Sequence, residues 1–256
     1  MIAGRGRTIL AACLLSAAAA SVAQSNEGED MPEPQNHSAP LVQAVQSVKQ
    51  TDAWAADWWN ARHEAKLREK SSDANIELVL IGDSITHGWE TEGKQAWSEC
   101  FGEYSTLNLG FSGDRTEHVI WRLRNGEVDG LSPRRVVLLI GVNNGGHRRD
   151  KPEDTAAGIE VILNELRTRL PDAKILLLAI LPTGKNPDDP LRLLNEQVNR
   201  MIARYADNDR IVFCDIGKAF LDENGILSNS IMPDFLHPND RGYRIFAEAL
   251  KACMDR

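Results

Sequence analysis

An apolar run ends in Gly82-Asp83-Ser84 within Glu77-Leu-Val-Leu-Ile-Gly-Asp-Ser-Ile-Thr-His-Gly88. A serine at the end of a strand, where a helix can start, sits beside free backbone N–H groups and can act as a nucleophile. The same serine can simply cap that helix. Gly-x-Ser-x-Gly is absent from the chain, so this is not the nucleophile elbow of the α/β-hydrolases. A second run leads into Asn108-Leu-Gly-Phe-Ser-Gly113-Asp-Arg-Thr, where the Gly113 N–H can point toward Ser84, although turn geometry explains the glycines equally well. A third leads into Ile140-Gly-Val-Asn143-Asn144-Gly-Gly. An asparagine side chain there can donate to a developing oxyanion, or it can belong to an Asn-Gly turn. Near the C-terminus, Asp234-Phe-Leu-His237-Pro238 spaces an acid three residues before a histidine. That spacing lets the carboxylate hold one imidazole nitrogen and leaves the other free as a base.

These segments need a scaffold that brings strand ends together. Five apolar runs, at Glu77–Ile81, Thr106–Leu109, Val136–Ile140, Ile175–Ile180 and Ile211–Cys214, read as buried parallel strands. Helical stripes lie between them, such as Ile159, Ile162, Leu163, Leu166 and Leu170 after Pro152, and Tyr243, Phe246, Ala247 and Leu250 after Pro238. The alternation predicts an α/β fold: three layers, α/β/α, flavodoxin-like, around a five-stranded, mostly parallel sheet. Ligands in such folds sit at the carboxyl ends of the strands, where the serine, glycine and asparagine fall. Residues 42–70 read as one N-terminal helix carrying Trp54, Trp58 and Trp59. Packing onto the sheet is the preferred role for these tryptophans, with an aromatic sugar platform as the alternative.

With their order along the chain established, the segments together resemble an SGNH (GDSL-type) hydrolase. Within that family the chain is similar to the branch containing the catalytic subunits of intracellular platelet-activating factor acetylhydrolase. The closer similarity rests on Asn108–Leu123, Asn125-Gly-Glu127, Gly141-x-Asn-Asn, Leu181-Pro182 and Asp234-x-Leu-His237, and it spans roughly Trp54 to Leu250. The resemblance implies Ser84 as nucleophile, His237 as its base and Asp234 as the orienting acid. It implies an oxyanion hole made by the N–H groups of Ser84 and Gly113 and the side chain of Asn143. It calls for no metal and no organic cofactor, and it is the sole ground for expecting a homodimer. Three departures stand out. Ile85 replaces the leucine of Gly-Asp-Ser-Leu, Asn144 stands where many members have aspartate, and Gly145-Gly-His-Arg-Arg149 is peculiar to this chain. His87, His118 and His147 are expected to line or support the mouth of the pocket.

Of the 256 residues, 29 are Lys or Arg and 37 Asp or Glu, a net charge of −8 without any basic run. That balance disfavours nucleic acid and anionic membrane surfaces as partners. Residues 1–23 read as a signal peptide: Arg5 and Arg7, then a short apolar run, then Ser21-Val-Ala23. A lipoprotein reading of Leu10-Ala-Ala-Cys13 is disfavoured, because the apolar run follows that cysteine instead of preceding it. Removing 1–23 takes two arginines and no acid, leaving −10 and three cysteines. Cys214 and Cys253 are expected as buried small hydrophobes, with a Cys100–Cys253 bridge left open. Residues 24–40 read as a flexible leader and 41–256 as the hydrolase domain.

The expected protein is a secreted or periplasmic serine esterase without stable membrane insertion in its mature form. Its expected substrate is a short, acetyl-type ester on a small molecule or glycan. The alternatives are a lysophospholipase or platelet-activating-factor-type acetylhydrolase acting on lipid, and a non-catalytic glycan-binding module.

Overall fold

A computed structural model describes residues 42–73 and 75–255. The expected signal peptide 1–23 and leader 24–40 lie outside the described residues.

Five strands, β1 (Leu78–Gly82), β2 (Thr106–Gly110), β3 (Arg135–Leu139), β4 (Lys174–Leu178) and β5 (Ile211–Cys214), form one sheet in the order β2-β1-β3-β4-β5. Every pairing is parallel, so the sheet is wholly and not mostly parallel. Strands covered on both faces need apolar side chains on both, which is why the runs were unbroken; all five residues of β1 are buried. One face is covered by α4 (Thr116–Arg124), α5 (Pro152–Arg169) and α6 (Pro190–Ile202), which set Val119, Ile120, Ile159, Ile162, Leu166 and Val198 against Val79, Leu109, Val136 and Ile175. The other face is covered by α3 (Lys94–Phe101) and α7 (Asp240–Met254), which set Phe101, Phe246 and Leu250 against Leu80, Val137 and Leu176. The odd residues of β1 and the even residues of β3 thus face the first core, and the alternate residues of each strand the second, as strand periodicity requires.

The register matters for function. Gly82 lies opposite both Gly110 and Leu139, so the loops after β1, β2 and β3 leave the sheet at one level. The segments bearing Ser84, Gly113 and Asn143 start there side by side.

Two expectations are corrected. Residues 42–70 are not one helix: short 3-10 turns at Gln43–Val45 and Ala53–Ala55 precede α1 (Trp59–Ser72). Tertiary contacts override the local pattern, because the Val48 N–H donates to the Glu117 carbonyl at 3.2 Å and Gln50 reaches His118 at 3.4 Å. The intervening chain is thereby pulled across the start of α4 in extended form. The second correction concerns the cysteines. Cys214, at the end of β5, is bonded to Cys253 in α7 with their Cα atoms 6.3 Å apart, and Cys100 is a free thiol. Both bonded residues are buried, as expected, but they are partners and not independent fillers.

Candidate active site

Ser84 opens α2 (Ser84–His87), a single turn that the buried Asp83 caps by accepting from the Ile85 N–H at 3.0 Å. Its side chain is half-buried, and its Oγ lies 2.8 Å from His237 Nε2. His237 Nδ1 in turn lies 2.7 Å from Asp234 Oδ2. The Asp234–His237 turn has local causes. Asp234 Oδ1 accepts from the Leu236 and His237 N–H groups, at 3.1 and 2.8 Å, while Phe235 takes a left-handed φ of 58°. A phenylalanine there carries a strain cost of about 1–2 kcal/mol. The turn is anchored by the Gly184 N–H donating to the Phe235 carbonyl at 2.9 Å.

Burial works against the Asp234 carboxylate, but the bonds from the His237 ring and backbone outweigh it and hold its pKa below the ordinary value. Asp83 goes the other way: burial pushes it up to about 7, against the Ile85 N–H and the nearby His237. The acid next to the serine is thus held by its cap position, whereas the acid next to the histidine is the one kept ionised.

Gly113 has φ +75°, a conformation that suits glycine, and it leaves β2 through Phe111-Ser112. Neither the Gly113 N–H nor the Ser84 N–H has an acceptor among the described residues. Asn143 is buried and gives one Nδ2 hydrogen to the Asp114 carbonyl at 3.0 Å, which ties the loop after β3 to the loop after β2 and leaves the second hydrogen free. Two backbone donors and one amide donor therefore stand on adjoining loops without an acceptor among the described residues. The arrangement can lower a hydroxyl's barrier to attack on a carbonyl and stabilise the resulting negative oxygen.

A cavity of about 510 Å³ opens over Ser84 and His237 and is lined also by His87, Thr91, Glu92, Ser112 and Tyr243. Tyr243, from α7, donates to the Ile85 carbonyl at 2.7 Å and so braces α2 from behind. His87 is bonded to Ser112 Oγ at 3.0 Å; burial, and then the charge of Arg62, lower its pKa to about 4. Of the three histidines expected at the mouth, His87 lines the cavity and His147 is exposed beside Trp54. His118 is instead buried in α4, where it accepts from the Arg115 N–H at 3.1 Å.

Trp54 was expected to pack within a helix on the sheet, with a sugar platform only as the alternative. It is 50% exposed, and its indole lies on Gly113 so closely that a Cβ there would come within 2.0 Å of it. Arg122 was missed. Fully buried, it donates to Asp114 Oδ2 at 2.8 Å, pairs with Glu127 and stacks 4.1 Å over Phe111. The Gly145–Arg149 segment lies in a single π-helical turn, Asn144–Arg148, closed by Arg149 at φ 58°. Arg148 reaches from it to the buried Glu117 and to Asp150.

Residues 80–245 match the model of the GDSL-like Lipase/Acylhydrolase family. Platelet-activating factor acetylhydrolase IB subunit alpha1 of Homo sapiens is 36% identical over 199 residues, covering 77% of this chain and 83% of the relative. Among solved structures, a GDSL-like lipase from Bacteroides thetaiotaomicron superposes with a TM-score of 0.63 at 21% identity, covering 76% of this chain and 98% of that one. An acetylxylan esterase from Geobacillus stearothermophilus gives 0.58 at 20% identity, covering 71% and 97%.

Proposed function

Because the chain belongs to the GDSL-like lipase/acylhydrolase family and is an ester-hydrolysing enzyme, we propose that it removes short acyl groups, acetyl above all, from carbohydrate hydroxyls through an acyl-Ser84 intermediate. The observation that carries the reading is the hydrogen-bonded chain from Ser84 Oγ through His237 to Asp234. His237 Nε2 takes the serine proton as Oγ attacks the ester carbonyl, and Asp234 stabilises the imidazolium that forms. The N–H groups of Ser84 and Gly113 and the free Nδ2 hydrogen of Asn143 receive the oxyanion. Collapse breaks the bond to the alcohol, which leaves with the proton from His237. Water, deprotonated by the same histidine, then releases the acid and restores Ser84.

Several features support a short acyl group on a sugar. No long apolar insertion between Ser84 and His237 offers a lipase-type lid. The cavity lining includes the polar side chains of Thr91, Glu92 and Ser112. A charge of −8, or −10 after loss of 1–23, works against anionic lipid surfaces. An acetylxylan esterase is built on the same fold. Export is part of the proposal and rests on the sequence of residues 1–23. A second reading, acetyl-ester hydrolysis on lipid, is favoured by the 36% identity to the human acetylhydrolase subunit.

The test is a fluorophosphonate probe with mapping of the adduct, together with Ser84→Ala. Label on Ser84 and a loss of about 10⁴–10⁶-fold in kcat for the variant are expected. Absence of label would refute the acyl-serine reading: with Ser84→Ala as active as wild type the nucleophile lies elsewhere, and with both inert on short p-nitrophenyl esters the glycan-binding module is left. An acyl-length series on p-nitrophenyl esters separates the two substrates. Activity that rises with each methylene beyond about four carbons favours lipid, since every buried CH₂ adds about 0.8 kcal/mol.

A further inference from the structure

We propose that Trp54 and Trp58 form a platform on which the sugar ring of the substrate stacks, directly beside the oxyanion-binding loops. This rests on the carbohydrate-ester reading above and gives that substrate its binding surface. Three large apolar side chains are exposed among the described residues, Val42, Trp54 and Leu193, and Trp54 alone of these touches the site. Its indole lies on the backbone of Gly113 and bridges to the loop after β3, where His147 meets it edge-on at 6.4 Å. Trp58 continues the surface 6.2 Å away at a 35° tilt and packs against His87 at 6.1 Å. His87 also lines the cavity over Ser84, so the rings of His87, Trp58 and Trp54 follow one another, 6.1 and 6.2 Å apart, from the nucleophile's cavity to Gly113.

A tryptophan placed for packing alone looks different. Trp59, on the same segment, is 1% exposed and gives its indole N–H to Asp114 Oδ1 at 2.7 Å. Trp54 keeps half its surface open, and neither the Trp54 nor the Trp58 indole N–H has a protein partner among the described residues. A flat apolar face edged by free donors suits a pyranose, whose C–H face stacks on the ring while its hydroxyls accept from N–H groups. An acyl chain needs an enclosed apolar trough, and the half-open Trp54 provides none. The charge state of the neighbourhood agrees: His87 stays neutral above a pH of about 4 and extends the ring surface.

The experiment compares kcat/KM on an acetylated xylooligosaccharide with that on p-nitrophenyl acetate, for wild type, Trp54→Ala, Trp54→Phe and Trp58→Ala. The ratio of sugar ester to p-nitrophenyl acetate should fall about tenfold in Trp54→Ala, mainly through KM, and recover most of that in Trp54→Phe. In parallel, unacetylated xylohexaose should quench tryptophan fluorescence of Ser84→Ala and do so far more weakly in Ser84→Ala/Trp54→Ala. Equal losses on both substrates would mean that Trp54 only shields Gly113, and an unmoved ratio in both alanine variants would remove the platform while leaving the carbohydrate reading intact. If wild type cleaves p-nitrophenyl acetate but no sugar acetate, the carbohydrate reading falls and the platform with it. Trp58→Ala carries the same comparison should Trp54→Ala fail to fold.

Discussion

Asn143 is the residue at which structure and proposed chemistry are hardest to separate. One of its amide hydrogens holds the Asp114 carbonyl at 3.0 Å, and the other is the donor assigned to the oxyanion. Asn143→Ala should therefore lower kcat by about 10²–10³ with KM little changed, while costing only about 1 kcal/mol of stability. Steady-state kinetics beside a thermal melt distinguishes this from general unfolding, which would move the melt first. His87 makes a prediction about pH. Its folded pKa of about 4 lies below the ordinary 6.5, chiefly through burial and then the Arg62 charge. Between those values the unfolded chain takes up a proton that the folded side chain refuses, so stability is lost as pH falls through 6.5 toward 4. His87→Gln, which can still bond Ser112, should lose less on the same descent. Melting curves of the two proteins that stay parallel from pH 7 to 4.5 would contradict the assignment.

At the scale of elements, the turn that follows β3 explains a departure from the family pattern. Asn144 is fully buried, accepts from the Thr116 N–H, and donates to Thr116 Oγ1 and to Asp150 Oδ2, each at 3.0 Å. An aspartate there would set a carboxylate oxygen against Asp150, itself bound to Arg148. Asn144→Asp should cost about 2 kcal/mol at neutral pH. The like-charge contact raises the folded pKa of one acid above its unfolded value, so this penalty grows as pH rises and shrinks on acidification. Adding Asp150→Asn should restore the melt. The same elements show what was legible beforehand. The strands could be read because residues covered on both faces are apolar in an unbroken run, and Ser84, Gly113 and Asn143 because each follows such a run. Asp234 and His237 stood at a spacing that one turn can close, and the family resemblance supplied their expected roles. Residues 46–58 could not be read, since their path is set by Val48 on Glu117, Gln50 on His118 and Asp52 on Arg115, contacts across more than sixty residues. Trp54's place beside Gly113 depends on that path. The Cys214–Cys253 pair was equally hidden, because adjacency of β5 and α7 is a property of the assembled sheet.

Across the whole molecule, one buried charge joins the pieces that the site requires. Arg122 on α4 donates to Asp114 in the loop after β2, pairs with Glu127, and lies 3.5 Å from the Gly82 carbonyl at the end of β1. Through Asp114 it meets Trp59 of α1 at 2.7 Å, and through Glu127 it meets His63 of α1 at 2.9 Å. The carbonyl of that same Asp114 holds Asn143, and its neighbour is Gly113. The N-terminal helix, two strand ends and two of the proposed oxyanion donors thus share a single guanidinium. A buried pair of this kind adds little net stability over an apolar filling, but removing one partner strands the other charges away from water. Arg122→Met keeps the stem against Phe111 and takes the guanidinium from the buried Asp114 and Glu127, which keep only the hydrogen bonds to Trp59 and His63, so unfolding in urea should be easier by about 3–5 kcal/mol with an unchanged m-value. The surviving folded protein should also turn over more slowly, on the order of 10²-fold, because Gly113 and Asn143 lose their common anchor. Arg124→Met is the control: Arg124 lies two residues along α4 and pairs with Glu165 at 43% exposure, where a pair is worth about 0–1 kcal/mol. If both variants lose similar stability and Arg122→Met keeps its kcat, the network is packing alone. If only Arg122→Met falls, in stability and in kcat together, the charge at the centre of the fold is what holds the site in place.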